Sequence, residues 1–136
     1  MFDTLIRHAR IVDGTGNPWV RGDVAIQDGR IVAVGRVDET AQARQVVDAR
    51  EMVVCPGFID AHVHADLALL AEPEFPGGLY QGVTTHIIGQ DGVSYAPASP
   101  KTQAFYRQYF AAVNQDPPNL GEWRTVAEYL AQFDGR

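Results

Sequence analysis

Across residues 4–55 apolar and polar positions alternate in short runs, the period of a strand with one face buried. Thr4-Leu5-Ile6-Arg7, Arg10-Ile11-Val12, Val24-Ala25-Ile26-Gln27, Arg30-Ile31-Val32-Ala33-Val34 and Gln45-Val46-Val47-Asp48 each read as a strand. Asp28-Gly29 between two of these runs predicts a two-residue hairpin, because a type I′ turn needs positive φ at both central positions. Asp13-Gly14-Thr15-Gly16-Asn17-Pro18 is a looser loop of breaker residues. The expectation is a small antiparallel sheet.

Beyond Cys55-Pro56-Gly57 the pattern changes. Phe58-Ile59-Asp60-Ala61-His62-Val63-His64 reads as one strand and Val83 to Gly89 as another. Residues 65–82 between them are long enough for a crossover, which would make the two strands parallel. Ser99-Pro100 offers an N-cap with proline at the first helical position. The stripe Phe105, Tyr109, Phe110, Val113 then predicts a helix over 100–115, stopping before Pro117-Pro118. Thr125-Val126-Ala127-Glu128 is a capping-box pattern, and Val126, Tyr129, Leu130 and Phe133 carry a second helix toward Arg136. Strands first and then β, α, β, α, α is an α/β order.

Composition narrows the partners. With 46% hydrophobic and 21% charged residues the chain is that of a folded protein. Lys and Arg number 11 against 17 Asp and Glu, net −6, and no basic run is present to neutralise phosphates, so nucleic acid is not an expected partner. No apolar run approaches the roughly 18 residues of a membrane span. Met1-Phe2-Asp3-Thr4 does not open a secretory signal, and the single Cys55 cannot form an internal disulfide, so a cytoplasmic protein is expected. Cys55 reads as a small buried apolar residue rather than a nucleophile. The 136 residues are too few to close a (β/α)₈ barrel, which takes about 250.

His62 and His64 carry the main chemical signal. Side chains two apart on a strand share a face, so both imidazoles can close on one cation, zinc first and iron, copper or nickel also. Asp60 has the same parity and either orients one of these ligands by a hydrogen bond or serves a structural one. Asp66 lies at the site mouth or caps the following helical segment, and the cap is the preferred reading. His8 and His86 read as isolated structural or surface histidines, Ser94 and Tyr95 as ordinary loop residues, and the aromatics at 105, 106, 109 and 110 as helix packing. Gly14-x-Gly16 lacks the rest of a dinucleotide fingerprint.

The stretch Pro56-Gly57-Phe58-Ile59-Asp60-Ala61-His62-Val63-His64-Ala65-Asp66 resembles the amidohydrolase superfamily. There a PGxIDxHxH motif marks the first strand of a metal-bearing (β/α)₈ barrel, and a β-rich segment commonly precedes it. Within the superfamily the chain is similar to the N-acyl-D-amino-acid deacylases, or D-aminoacylases. That likeness runs through Leu5-Ile6 to Val12-Asp13-Gly14-Thr15-Gly16, Gly22-Asp23-Val24, Asp28-Gly29-Arg30-Ile31 and Gln81-Gly82-Val83-Thr84-Thr85. It continues in Gly89-Gln90-Asp91-Gly92-Val93-Ser94-Tyr95-Ala96-Pro97 and Trp123-Arg124-Thr125-Val126-Ala127-Glu128-Tyr129-Leu130. The implied fold class is α/β. An N-terminal antiparallel β-rich sandwich segment over 1–55 precedes the first two or so β/α units of a truncated (β/α)₈ barrel over 56–136.

The resemblance also implies a site. His62 and His64 become metal ligands, and Asp91 stands where the family's best-known members place a cysteine ligand in a Gly-Asn-Cys-Gly segment. A carboxylate also ligates or bridges divalent ions, so Asp91 is the third metal ligand and the catalytic candidate, against its simply starting an Asp-Gly turn. Asp60 is the supporting hydrogen-bond partner, and no substrate-binding residue is assigned. The implied cofactor is a divalent metal, Zn²⁺, with one or two ions in the complete protein. The implied activity is hydrolysis of linear amide C–N bonds, from N-acyl-D-amino acid to D-amino acid plus carboxylate. The family's later histidines and its proton-carrying aspartate belong to strands beyond residue 136, so the segment alone is expected to be inactive, unstable and dependent on the rest of the barrel. A cyclic-amide hydrolase of the same superfamily and a non-catalytic truncated product acting as a binding module are the alternatives.

Overall fold

A computed structural model describes residues 1–118 and 120–135 of the protein. The chain forms two compact units, Met1–Pro56 and Gly57–Arg136.

In the first unit β1 (Phe2–Ile11), β2 (Val20–Gln27), β3 (Arg30–Gly35) and β4 (Ala43–Asp48) lie in the order β3-β2-β1-β4, and β5 (Val53–Val54) also pairs with β1. Asp28 and Gly29 both have positive φ, 51° and 70°, and close the expected hairpin between Gln27 and Arg30. The sheet is nevertheless mixed and not antiparallel throughout. β4 runs parallel to β1 along Phe2 to Arg7, and β5 runs parallel to it along Arg10 and Ile11. A tight turn forces its two strands antiparallel, whereas the link from β3 to β4 crosses to the far side of β1 and delivers the strand in parallel.

The two separate strands predicted at 4–7 and 10–12 are one. His8 has φ 62°, and the register with β2 shifts between Ile6 and Ala9, so the polar interruption is a bulge within a continuous strand. Asp23 stabilises it: Oδ1 accepts the His8 backbone N–H at 2.9 Å and Oδ2 accepts from the Arg7 guanidinium at 3.1 Å. Burial by itself raises the Asp23 carboxyl, but the bonds from His8, Arg7 and Val37 outweigh it and hold the group below its ordinary value. Leu5, Ala25 and Val37 form one small core, and Ala9, Ile11, Val24 and Ala49 another. Cys55, expected to be buried, is exposed, because it lies just past the two-residue β5, whose pairing with β1 ends at Val54.

The second unit begins with β6 (Phe58–Asp60), followed by α1 (Ala68–Ala71), α2 (Pro76–Leu79) and β7 (Val83–His86). β6 and β7 are parallel, with the two short helices as their crossover. Both strands stop earlier than the apolar pattern predicts, at Asp60 rather than His64 and at His86 rather than Gly89. Gly57 is required where β6 starts: a Cβ there would lie 2.0 Å from the Thr84 hydroxyl oxygen.

A 3₁₀ turn at Gln90–Gly92 leads to α3 (Pro100–Tyr109), α4 (Ala111–Asn114), α5 (Val126–Leu130) and a final 3₁₀ turn at Ala131–Phe133. Ser99 caps α3 as expected, accepting the Thr102 N–H at 3.1 Å. The single helix predicted over 100–115 breaks at Phe110, whose φ and ψ of −104° and 18° leave the helical region. Phe105 and Tyr109 stack on each other at 5.4 Å with both rings exposed, so only part of that aromatic row packs inward. Thr125 and Glu128 close the capping box of α5, but α-helical geometry ends at Leu130, and the predicted helix end at Arg136 lies outside the described residues. Leu67, Leu70, Tyr95, Trp123 and Tyr129 make the buried core of this unit. No described helix is long and apolar enough to cross a membrane.

Candidate metal centre

His62 and His64 lie beyond the end of β6, so strand parity does not place them. The Asp60 carboxylate accepts the backbone N–H of His62 at 3.2 Å, a local side-chain turn that draws the chain out of the ladder. Backbone bonds from Ile87 N–H to the Asp60 carbonyl, 2.9 Å, and from Val63 N–H to the Ile87 carbonyl, 3.4 Å, still hold the turning segment against the end of β7. Within it the two imidazoles converge, their ring centroids 5.4 Å apart and their planes at 77°. Asp60 therefore supports the backbone of a candidate ligand, not an imidazole ring. Its other oxygen is 3.9 Å from Nδ1 of His86, which lies outside the cluster with its ring edge-on to Phe75.

The third group comes from the loop after β7. Gly89, Asp91 and Gly92 all have positive φ, and the Asp91 backbone at φ 56°, ψ 25° is a left-handed residue in an Asp-Gly turn. Gln90 Nε2 ties the two loops together by donating to the carbonyls of Ala61, 3.3 Å, and Ile87, 3.1 Å. This turn aims the Asp91 carboxylate at both histidines: Oδ2 is 3.0 Å from His62 Nε2 and 3.3 Å from His64 Nε2. The Asp-Gly turn itself presents the Asp91 carboxylate to the two rings. One donor atom from each of His62, His64 and Asp91 lies within 4.8 Å of the others. Two imidazole nitrogens and one carboxylate oxygen, open toward solvent, are of the kind that could hold a zinc ion with a fourth position left for water or substrate.

Asp66 is not a helix cap. Leu67 occupies the N-cap of α1 without a side-chain bond, while Asp66 is 2% exposed and its Oδ2 has no hydrogen-bond partner among the described residues. Burial pushes its carboxyl up, against the N–H groups of Asp66 and Gly89 and the His64 charge. Its backbone is held by residues that sequence patterns did not single out for the site: Tyr129 Oη–H donates to the Asp66 carbonyl at 2.8 Å, and Asn114 Oδ1 accepts the Leu67 N–H at 3.4 Å. Tyr129 stood in the helical stripe as packing, and nothing marks a lone asparagine 47 residues from its partner. Ser94 is a loop residue that bonds the Ala96 carbonyl at 2.6 Å, whereas Tyr95 is a core residue, 1% exposed. His8 belongs to the first unit and pairs with Asp48 at 3.1 Å.

Comparison with known proteins identifies relatives of the chain. The sequence profile of the amidohydrolase family matches residues 45–134. An N-acyl-D-aspartate deacylase of Alcaligenes xylosoxydans xylosoxydans is 45% identical over 97 residues, covering 71% of this chain and 19% of the relative. A D-aminoacylase of the same organism is 40% identical over 96 residues, covering 71% and 20%. The chain thus spans about a fifth of these curated relatives. The crystal structure of an N-acyl-D-glutamate deacylase from Bordetella bronchiseptica, complexed with zinc and a phosphonate inhibitor, superposes with a TM-score of 0.79 at 34% identity, over 98% of this chain and 27% of that one. With a compatible donor set and a profile match across most of its length, the chain belongs to the amidohydrolase family and within it is similar to the N-acyl-D-amino-acid deacylases.

Proposed function

We propose that this chain is the metal-bearing segment of a hydrolase that cleaves N-acyl-D-amino acids to a carboxylate and a free D-amino acid. The observation that carries the reading is the convergence of His62 Nε2, His64 Nε2 and one Asp91 oxygen within 4.8 Å, just past the ends of two adjacent parallel strands. That end of a strand pair is where a barrel enzyme assembles its chemistry. The similar deacylases, one of them solved with zinc, supply the reaction class and the ion.

His62, His64 and Asp91 would hold a divalent ion, which when bound would acidify a water and polarise the amide carbonyl near neutral pH. The chain's own residues set the geometry. His62 and His64 present their Nε2 atoms from a segment whose bend Asp60 maintains. Asp91 directs Oδ2 to the same point as the third ligand, and its Oδ1 has no protein partner among the described residues. In the balanced hydrolysis the water oxygen bonds to the acyl carbon, the C–N bond breaks, and a proton reaches the leaving nitrogen, since an amine anion is too poor a leaving group. The family resemblance assigns further histidine ligands and a proton-carrying aspartate to barrel strands that these 136 residues do not contain, so the segment by itself is inactive until they are supplied.

The test uses the whole protein that carries this chain, with elemental analysis and a panel of acylated D- and L-amino acids. It should hold about one or two zinc-class ions and release free D-amino acid, and His62→Ala or His64→Ala should lose at least one ion and most of the activity. Unchanged metal content in both variants overturns the assignment. Turnover confined to L-substrates overturns the substrate class.

A further inference from the structure

We infer that Tyr129 and Asn114 are positioning residues for the metal centre, clamping from distant helices the segment that carries His64; this rests on the metal reading above. The segment from Ala61 to Leu67 has no regular secondary structure, and its two halves are held differently. The first half is tied to its strand neighbours, through Asp60 to the His62 N–H, Ile87 to the Val63 N–H and Gln90 to the Ala61 carbonyl. The second half has left the sheet. Among the described residues, its hydrogen bonds to distant parts of the chain are the Tyr129 hydroxyl on the Asp66 carbonyl, Asn114 on the Leu67 N–H and the His64 contact with Asp91, beside the Gly89 N–H that faces the Asp66 carboxylate.

The two clamp residues are placed for that task. Asn114 and Leu67 are fully buried, and Tyr129 is 4% exposed, so water does not compete for either bond. The Tyr129 ring is gripped edge-on by Trp123 at 5.4 Å and by Phe133 at 5.3 Å, which fixes where its hydroxyl points. Asn114 leaves its Nδ2 without a partner among the described residues, a cost that a leucine of similar volume would avoid. What the asparagine contributes in return is an acceptor for the Leu67 N–H. His64 precedes Asp66 by two residues, so freedom at the Asp66–Leu67 backbone passes to the imidazole. A site that needs three donor atoms at one point tolerates little of it.

The experiment, in the whole protein that carries this chain, compares Tyr129→Phe and Asn114→Leu with Gln103→Leu. Gln103 bonds the carbonyls of Tyr95 and Trp123 in the same unit and touches neither clamp bond, so its variant reports plain loss of stability. Three quantities are read: amide hydrogen exchange at residues 63–67, Zn²⁺ affinity by chelator competition, and the melting temperature. Each clamp variant should speed exchange at 63–67 and weaken Zn²⁺ about tenfold. Gln103→Leu should lower the melting temperature and leave both other readings at parent values. Unchanged exchange at 63–67 in both clamp variants overturns the clamp. Faster exchange with parental Zn²⁺ affinity overturns the positioning role, as does an equal loss of affinity in Gln103→Leu. If the parent binds no Zn²⁺, the metal reading falls and the positioning role with it, while the exchange data still show whether the two bonds restrain the segment.

Discussion

His62 Nε2 and Asp91 Oδ2 lie 3.0 Å apart although 29 residues separate them in the chain. The parallel pairing of β6 and β7 makes that meeting possible, because it brings the ends of both strands, and the loops that follow them, to the same side. Asp91 then reaches the imidazoles from a left-handed turn flanked by Gly89 and Gly92.

The donor set of two nitrogens and one oxygen makes Asp91 the point at which metal preference is tested. Asp91→Asn should weaken Zn²⁺ by at least about tenfold and Asp66→Asn by less, since Asp66 turns no atom into the cluster. Asp91→Cys should keep Co²⁺ binding, gain a sulfur-to-cobalt charge-transfer band and shift preference toward Cd²⁺, because a thiolate is the softer ligand. The opposite order of the two asparagine variants, or a Cys variant without the band, would show that residue 91 is not a ligand.

Gly57 sits against Thr84, and the contact is between a backbone position and a short β-branched side chain with little room to move. A Cβ on residue 57 would fall 2.0 Å from Oγ1, 2.4 Å from Cγ2 and 2.7 Å from Cβ of Thr84. Gly57→Ala should therefore destabilise the second unit by about 1–3 kcal/mol, as overpacking does. Thr84→Ala removes two of those three contacts and should restore part of the loss in the double variant. A Gly57→Ala chain that melts with the parent would mean that β6 and β7 separate there at no cost.

Asp23 makes the first unit sensitive to acid. Its folded pKa lies below the ordinary 3.8, so the ionised group stabilises the fold at pH values above 3.8, and that contribution disappears as pH falls through the depressed folded value. Denaturant melts followed by a probe in residues 1–56 should show flat stability near neutrality and a decline in acid. Asp23→Asn should flatten the decline and cost about 3 kcal/mol at neutral pH, because Arg7, with 13% of its side chain exposed, would lose its charged partner. An unchanged acid slope in the variant would assign the decline to other carboxylates.

Local signals in the sequence read well where the chemistry is local. The Asp28-Gly29 hairpin, the Ser99 cap of α3 and the capping box at Thr125 all rest on a residue acting on backbone within about four positions, and all three are present. The parallel strand pair followed from the length of 65–82 alone. Periodicity failed at the strand ends, because Asp60 competes with the ladder for the His62 N–H and an apolar count cannot register that competition. It failed as well at β4, whose pairing with β1 depends on where a long link crosses the sheet.

The chemistry itself was written in the chain: which residues carry imidazole and carboxylate, and that they follow apolar runs able to form adjacent strands. A donor's identity is covalent and survives any conformation, so the residues that supply it could be named before a fold was known. Whether those donors meet, what holds the His64 segment, and that Asp66 is buried while Cys55 is exposed depend on contacts between positions far apart in sequence. Such contacts arise only when the whole core packs at once, and Tyr129 reaching the Asp66 carbonyl across 63 residues is a bond that no local pattern encodes.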